Sequence, residues 1–270
     1  MFKKLGVFIL IAIISVPVLL LSGCSNNNNT RLRAGTFNID ISHEAREGAR
    51  VIWEAMSDVV DELKPVGEWS TIERVELLHE LIIEVAEGIL SDLREHDSNV
   101  NVAQRLASLS SEISAVNSPT ATRNIFMPWA IDIFYQIDES VLEEMDPLAP
   151  TIVYENGRIT LNNIRTFWTI GLPVNDDADS LSLPFTLGAN GVLEFTPHNR
   201  NMLNDYFDFL KYLNEDVLED FGVEDLEIEV TVTMRFREGA FYINLVVESE
   251  AVIDGEEQSD RFETSMRFVR

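Results

Sequence analysis

The feature that most narrows the fold is an eleven-residue alternation near the C-terminus. Leu226, Ile228, Val230, Val232, Met234 and Phe236 are apolar, and Glu227, Glu229, Thr231, Thr233 and Arg235 between them are polar or charged. Period two over that length specifies a strand with one dry face and one wet face. Glu238-Gly239 follows as a two-residue turn, which sets Arg237 against Ala240 and Phe236 against Phe241. Asp254-Gly255 is a second such turn and sets Ile253 against Glu256. Counting back from it places Val247 opposite Phe262, Ile243 opposite Met266 and Phe241 opposite Phe268. Both turns put Phe236, Phe241 and Phe268 in one row, and Met234, Ile243 and Met266 in the next. A slip of one residue would turn a strand's whole apolar side to solvent. Agreement between two independent turns therefore predicts a three-stranded antiparallel meander.

Upstream, Asn156-Gly157 predicts a hairpin pairing Tyr154 with Ile159, Ile152 with Leu161 and Glu155 with Arg158. Asn190-Gly191 marks a further turn, between strands around Phe185 and Phe195. Thr196 and Pro197 have the cap and first-position chemistry of a helix running to about Asp220 and ended by Gly222. Its aromatics Tyr206, Phe207, Phe209 and Tyr212 are expected to pack on the sheet.

Residues 42–145 read as helical. Ser42 can cap a helix to about Leu63, stopped by Pro65, with Val51, Ile52, Ala55, Met56, Val59 and Val60 on one face. Ser70 and Glu73 form a capping-box pattern ahead of a second helix ending near Arg94. Its stripe is Ile72, Val75, Leu78, Ile82, Val85, Ala86, Ile89 and Leu93. A third helix covers about Asn101 to Val116. The segment Asn124 to Met145 is too apolar for solvent and is expected to cross the core as a helix interrupted by Pro128. The fold class is α+β: N-terminal helices followed by antiparallel β-sheet (hairpins plus the C-terminal three-stranded meander) with a packed helix. The helical region 42–145 and the sheet-plus-helix region 146–270 are expected to form one globular domain.

The chain has 270 residues and a formal charge of −26, from 20 Lys plus Arg against 46 Asp plus Glu. That balance argues against nucleic acid as a partner, because phosphate binding needs an excess of cations on some face. One cysteine excludes an intrachain disulfide and a multi-cysteine zinc site.

That cysteine lies in the first thirty residues. Lys3 and Lys4 precede an apolar run from Leu5 to Leu21, broken by Gly6, Ser15 and Pro17, and then come Ser22, Gly23 and Cys24. This is the layout of a secretory signal. Leu21, Ser22, Gly23 and Cys24 resemble the lipobox of bacterial lipoproteins; the resemblance covers the signal segment alone. It implies a diacylglyceryl group on the Cys24 thiol and cleavage after Gly23 by signal peptidase II. Cys24 would then be the lipidated first residue, attached to the membrane through its lipid, with the chain on the extracytoplasmic face of the cell membrane. The apolar run is at the short limit for spanning about 30 Å of hydrocarbon. A diacyl anchor suffices without a spanning helix, since two chains hold stably where one does not. Residues 1–23 carry Lys3, Lys4 and no acid, so the remainder has 18 bases against 46 acids and a charge of −28. Residues 24–41 begin with Cys24, Ser25 and four asparagines and are expected to be a polar tether. From Ser25 to Ile41 it would reach about 55 to 60 Å if fully stretched.

Nothing in the sequence amounts to a catalytic, cofactor or metal motif. Glu76 and His79 have the i, i+3 spacing of a di-iron element, with Glu73 and Glu80 nearby, but no second copy occurs on another helix. Asn175, Asp177 and Asp179 imitate the start of a calcium loop, yet Ser180 and Thr186 stand where Gly and Glu belong. His198 opens a helix where an anion could sit, a generic feature. The best-supported reading is a membrane-anchored, non-enzymatic binding or envelope-associated protein. The alternatives are a carrier or sensor of an apolar ligand held between the sheet face (Phe236, Phe241, Phe262, Phe268) and the helices, and an extracytoplasmic hydrolase using acidic residues.

Overall fold

The computed structural model of the chain describes residues 32–145, 148–165, 179–207, 223–253 and 256–270. It is α+β, and it divides into two compact units. One holds Glu44–Val141; the other holds Leu142–Arg270 together with the segment that ends at His43.

The first unit is helical. Helix α1 spans Ile41–Leu63, α2 Thr71–His96, α3 Val102–Ile113 and α4 Pro119–Met145. Helix α1 is capped by Asp40 and not by Ser42: the Asp40 carboxylate accepts the His43 backbone N–H at 3.3 Å. The capping box at α2 forms as its sequence requires, with Glu73 N donating to Ser70 Oγ and Ser70 N to the Glu73 carboxylate at 3.0 Å. Asn101 caps α3 through Gln104 N at 3.0 Å, and Ser118 caps α4 through Ala121 N at 3.2 Å. Helix α4 thus begins five residues before the expected Asn124, and it continues through Pro128. The ring leaves the Asn124 carbonyl without a helical donor, but Asn124 and Pro128 are both exposed, so water can satisfy that carbonyl. The buried faces converge on one apolar core that includes Ile52 and Met56 of α1, Ile82 and Ile89 of α2, Leu109 and Ile113 of α3, and Phe126 and Ile133 of α4.

The second unit is a seven-stranded antiparallel sheet. In chain order its strands are β1 (Gly35–Ile39), β2 (Thr151–Glu155), β3 (Arg158–Asn162), β4 (Ser180–Pro184), β7 (Val223–Arg237), β8 (Ala240–Ile253) and β9 (Glu256–Val269). A separate two-stranded ribbon, β5 (Thr186–Leu187) with β6 (Leu193–Glu194), lies around Asn190-Gly191. The spatial order is β4-β3-β2-β1-β9-β8-β7. The meander has the expected register: Phe236 faces Phe241, Phe241 faces Phe268, and Met234, Ile243 and Met266 form the next row. The turn residues Asp254 and Gly255 lie outside the described residues, but Ile253 pairs with Glu256 across them. The Asn156-Gly157 hairpin likewise pairs Tyr154 with Ile159, Ile152 with Leu161 and Glu155 with Arg158. Glu238 and Gly239 both take positive φ, 53° and 82°, as a type I′ turn requires.

Strand β1 corrects the tether. Residues 35–39, expected to be unstructured, pair with β2 on one side and β9 on the other, at the middle of the sheet. Phe37 then points into the core beside Phe241, with ring centroids 4.8 Å apart and nearly perpendicular.

Helix α5 (Pro197–Phe207) contacts both edge strands, β4 and β7. The sheet is therefore curled, with α5 spanning between its edges. A bridge between Val192 and Arg235 fastens the β5–β6 ribbon to β7. It depends on Gly191, whose φ is +75° and where a Cβ would lie 2.1 Å from the Phe236 carbonyl oxygen. Leu203, Tyr206 and Phe207 are buried, in keeping with the expected packing, while Phe209, Tyr212 and the expected extension to Asp220 lie outside the described residues.

Candidate functional site

Cys24 and the residues before it lie outside the described residues. Among those described, the densest group of chemistry-bearing side chains sits on the polar face of the meander. Tyr242 is at its centre, in one row with Arg235 and Arg267. The Arg237 guanidinium lies 4.6 Å and that of Arg267 5.9 Å from the Tyr242 ring centroid, and His43 meets that ring edge-on at 6.2 Å. The strands bring Ser265 beside Arg267, and the first turn of α1 lays His43 over it, with His43 Nε2 3.3 Å from Ser265 Oγ.

A histidine hydrogen-bonded to a serine beside an aspartate invites comparison with a hydrolytic triad. The geometry does not support it. Asp40 accepts the His43 backbone N–H through Oδ1, and Arg267 Nη1 at 2.7 Å through Oδ2, so its carboxylate is spent on the helix cap and an ion pair. Ser265 is completely buried, and a nucleophile needs access to its substrate. The cluster is a buried polar junction within the sheet unit, holding Asp40 and His43 against Ser265 and Arg267 of β9. Sequence reasoning missed it because His43 and Ser265 are 222 residues apart and neither stands in a motif.

The other titratable groups are dispersed. His79 Nε2 is hydrogen-bonded to the buried Thr122 hydroxyl at 3.0 Å; burial lowers its pKa and the neighbouring Glu76 opposes that shift. Among the described residues no group of three or more His, Cys, Asp or Glu is placed to hold a metal ion. In the imitation calcium loop, Asn175 and Asp177 lie outside the described residues, while the Asp179 carboxylate accepts a hydrogen bond from the Tyr206 hydroxyl. Burial and Asp179 together push the Tyr206 pKa up. His198 is exposed at the start of α5.

Two carboxyls in the helical unit depart from ordinary behaviour. Glu47 is pushed up to about 7 by burial, against the pull of Arg50, whose Nε lies 3.3 Å from it. Asp138, half-buried on α4, is pushed up to about 8 by burial alone. A feature of another kind is the α1–α2 turn, where Val66, Trp69 and Ile72 are exposed.

No family model, no curated protein and no solved structure matches the chain.

Proposed function

We propose that the chain is a lipoprotein held to the outer face of a cell membrane through Cys24, and that its folded part is a non-enzymatic binding or envelope-associated protein. The observation that carries this is Leu21-Ser22-Gly23-Cys24 at the end of an apolar run, with the chain's sole thiol at the one position that lipid attachment demands. Among the described residues the His43–Ser265 pair is closed to substrate by the burial of Ser265. Among the described residues Phe236, Phe241 and Phe268 are buried, with Phe236 and Phe241 centroids 5.0 Å apart, which favours a packed sheet face over a carrier's ligand space; the Phe262 side chain lies outside the described residues. Among the described residues no helix is long and apolar enough to cross a membrane.

Metabolic labelling with radioactive palmitate tests the anchor. Label should enter the full-length protein and be absent from Cys24→Ser, which should also keep its signal segment and run larger on a gel. An unlabelled wild-type protein, or a Cys24→Ser protein labelled and processed as before, would overturn the reading.

A further inference from the structure

The α1–α2 turn concentrates exposed apolar surface that folding leaves unused. Val66 is 80%, Trp69 44% and Ile72 62% exposed, whereas the other large exposed apolar side chains among the described residues stand singly on separate elements. The turn is built to present them. Val66 and Trp69 bridge each other, Gly67 takes φ +94°, and Glu68 N closes on the Pro65 carbonyl at 3.2 Å. Lys64, one of two lysines beyond residue 23, holds its ammonium 4.9 Å from the Trp69 ring centroid. An indole and a lysine side by side, each apolar along its body and polar at its tip, match the boundary between lipid tails and water.

The surrounding charges narrow the choice of lipid. Arg74 pairs with Asp61, the Glu73 carboxylate is taken by the capping box, and the Lys64 ammonium donates to the Glu73 carbonyl at 3.4 Å, while Glu62 and Glu68, two and four positions from Lys64 in the chain, are exposed. Headgroups bearing both charges suit that mixture, while purely anionic ones face a chain of charge −28 beyond residue 23. Three side chains on a convex turn fall short of the ~800 Å² per partner of a standard protein interface, whereas a fluid bilayer moulds to such a tip. We infer that the turn Pro65–Ile72 is a second membrane contact, setting Val66, Trp69 and Ile72 into the boundary of a zwitterionic bilayer. The choice of a bilayer rests on the lipid anchor proposed above. From Cys24 to Leu32 the chain can reach only ~26–29 Å, so the folded part stays close to the surface, where a weak contact is sustained by a high effective concentration.

The test uses the chain from residue 24 onward carrying Cys24→Ser, so that its outcome is independent of palmitate labelling. It is mixed with phosphatidylcholine vesicles at millimolar lipid, some containing brominated acyl chains. The protein should float with the vesicles, and bromolipid should quench its tryptophan emission. Trp69→Phe should abolish the quenching, and Val66→Ser with Ile72→Ser should weaken partitioning at least about tenfold. Replacing half the lipid by phosphatidylglycerol should weaken it too. No flotation at millimolar lipid, quenching retained in Trp69→Phe, or a patch whose substitution abolishes self-association in place of vesicle binding would each overturn the inference.

Discussion

Asp138 provides the sharpest quantitative expectation. Its carboxyl is pushed from an ordinary 3.8 to about 8 by burial, with no cation contributing. Over that interval the folded chain keeps a proton that the unfolded chain has released. The associated stability is present in full below the unfolded value and is lost as pH rises toward about 8. One proton sets the slope at about 1.4 kcal/mol per pH unit, for a total of at most about 6 kcal/mol across the range, large against a typical domain's stability of about 5–15 kcal/mol. Asp138→Asn keeps the shape of the protonated acid and cannot ionise. Urea unfolding at several pH values between about 5 and about 8 should show a stability that falls with pH in the wild type and falls less steeply, by about that slope, in Asp138→Asn. Repulsion within so acidic a chain also weakens it as pH rises, but that contribution is common to both proteins and cancels in the comparison. Identical slopes would refute the reasoning. So would a loss of more than about 1 kcal/mol in Asp138→Asn near pH 5, where the wild type has already given up part of its proton-linked stability and the variant has none to give up.

Three further expectations follow from the packing and the turns. Ser70→Ala should lower stability by about 1 kcal/mol in chemical denaturation, through loss of the cap on α2. In the same variant the Glu73 pKa, now held below its ordinary value first by the Ser70 hydroxyl and then by the Ser70 backbone, should rise toward 4.5 in an NMR titration. Phe241→Ala should cost about 3–5 kcal/mol in thermal or urea unfolding, because Phe241 is fully buried and touches the rings of Phe37 and Phe236. Gly191→Ala should detach the β5–β6 ribbon from β7 and speed amide exchange at Val192 and Arg235 while leaving the meander protected.

What the sequence disclosed follows the range of its signals. The meander and the Asn156-Gly157 hairpin are local, and each turn fixes a register by counting outward from itself, so the row of Phe236, Phe241 and Phe268 is legible in the sequence. Strand β1 gives no such signal. Its partners, Ile152 and Phe268, are more than a hundred residues away from Phe37 and Ile39, and its five residues adjoin a polar segment. Helix starts were legible where the cap is reciprocal, as at Ser70 and Glu73, and misplaced where two candidates adjoin, as with Asp40 and Ser42. The cost of Pro128 depends on whether the carbonyl it orphans reaches water, which its neighbours in the sequence do not disclose. The His43–Ser265 junction exists only once residues 222 positions apart have met. The proposed lipid attachment at Cys24 is the reverse case, argued entirely from neighbouring residue types.

The position of β1 also bears on when the chain can fold. Its neighbours are β2, from the middle of the sequence, and β9, whose pairing with it runs to Val269. The seven-stranded sheet therefore cannot be completed while the ribosome is still adding β9, and closing so wide a sequence gap makes the step slow. Until β9 is made, the strands of the sheet unit stay unpaired at its middle and threadable, which is the condition a translocation channel imposes on what passes through it.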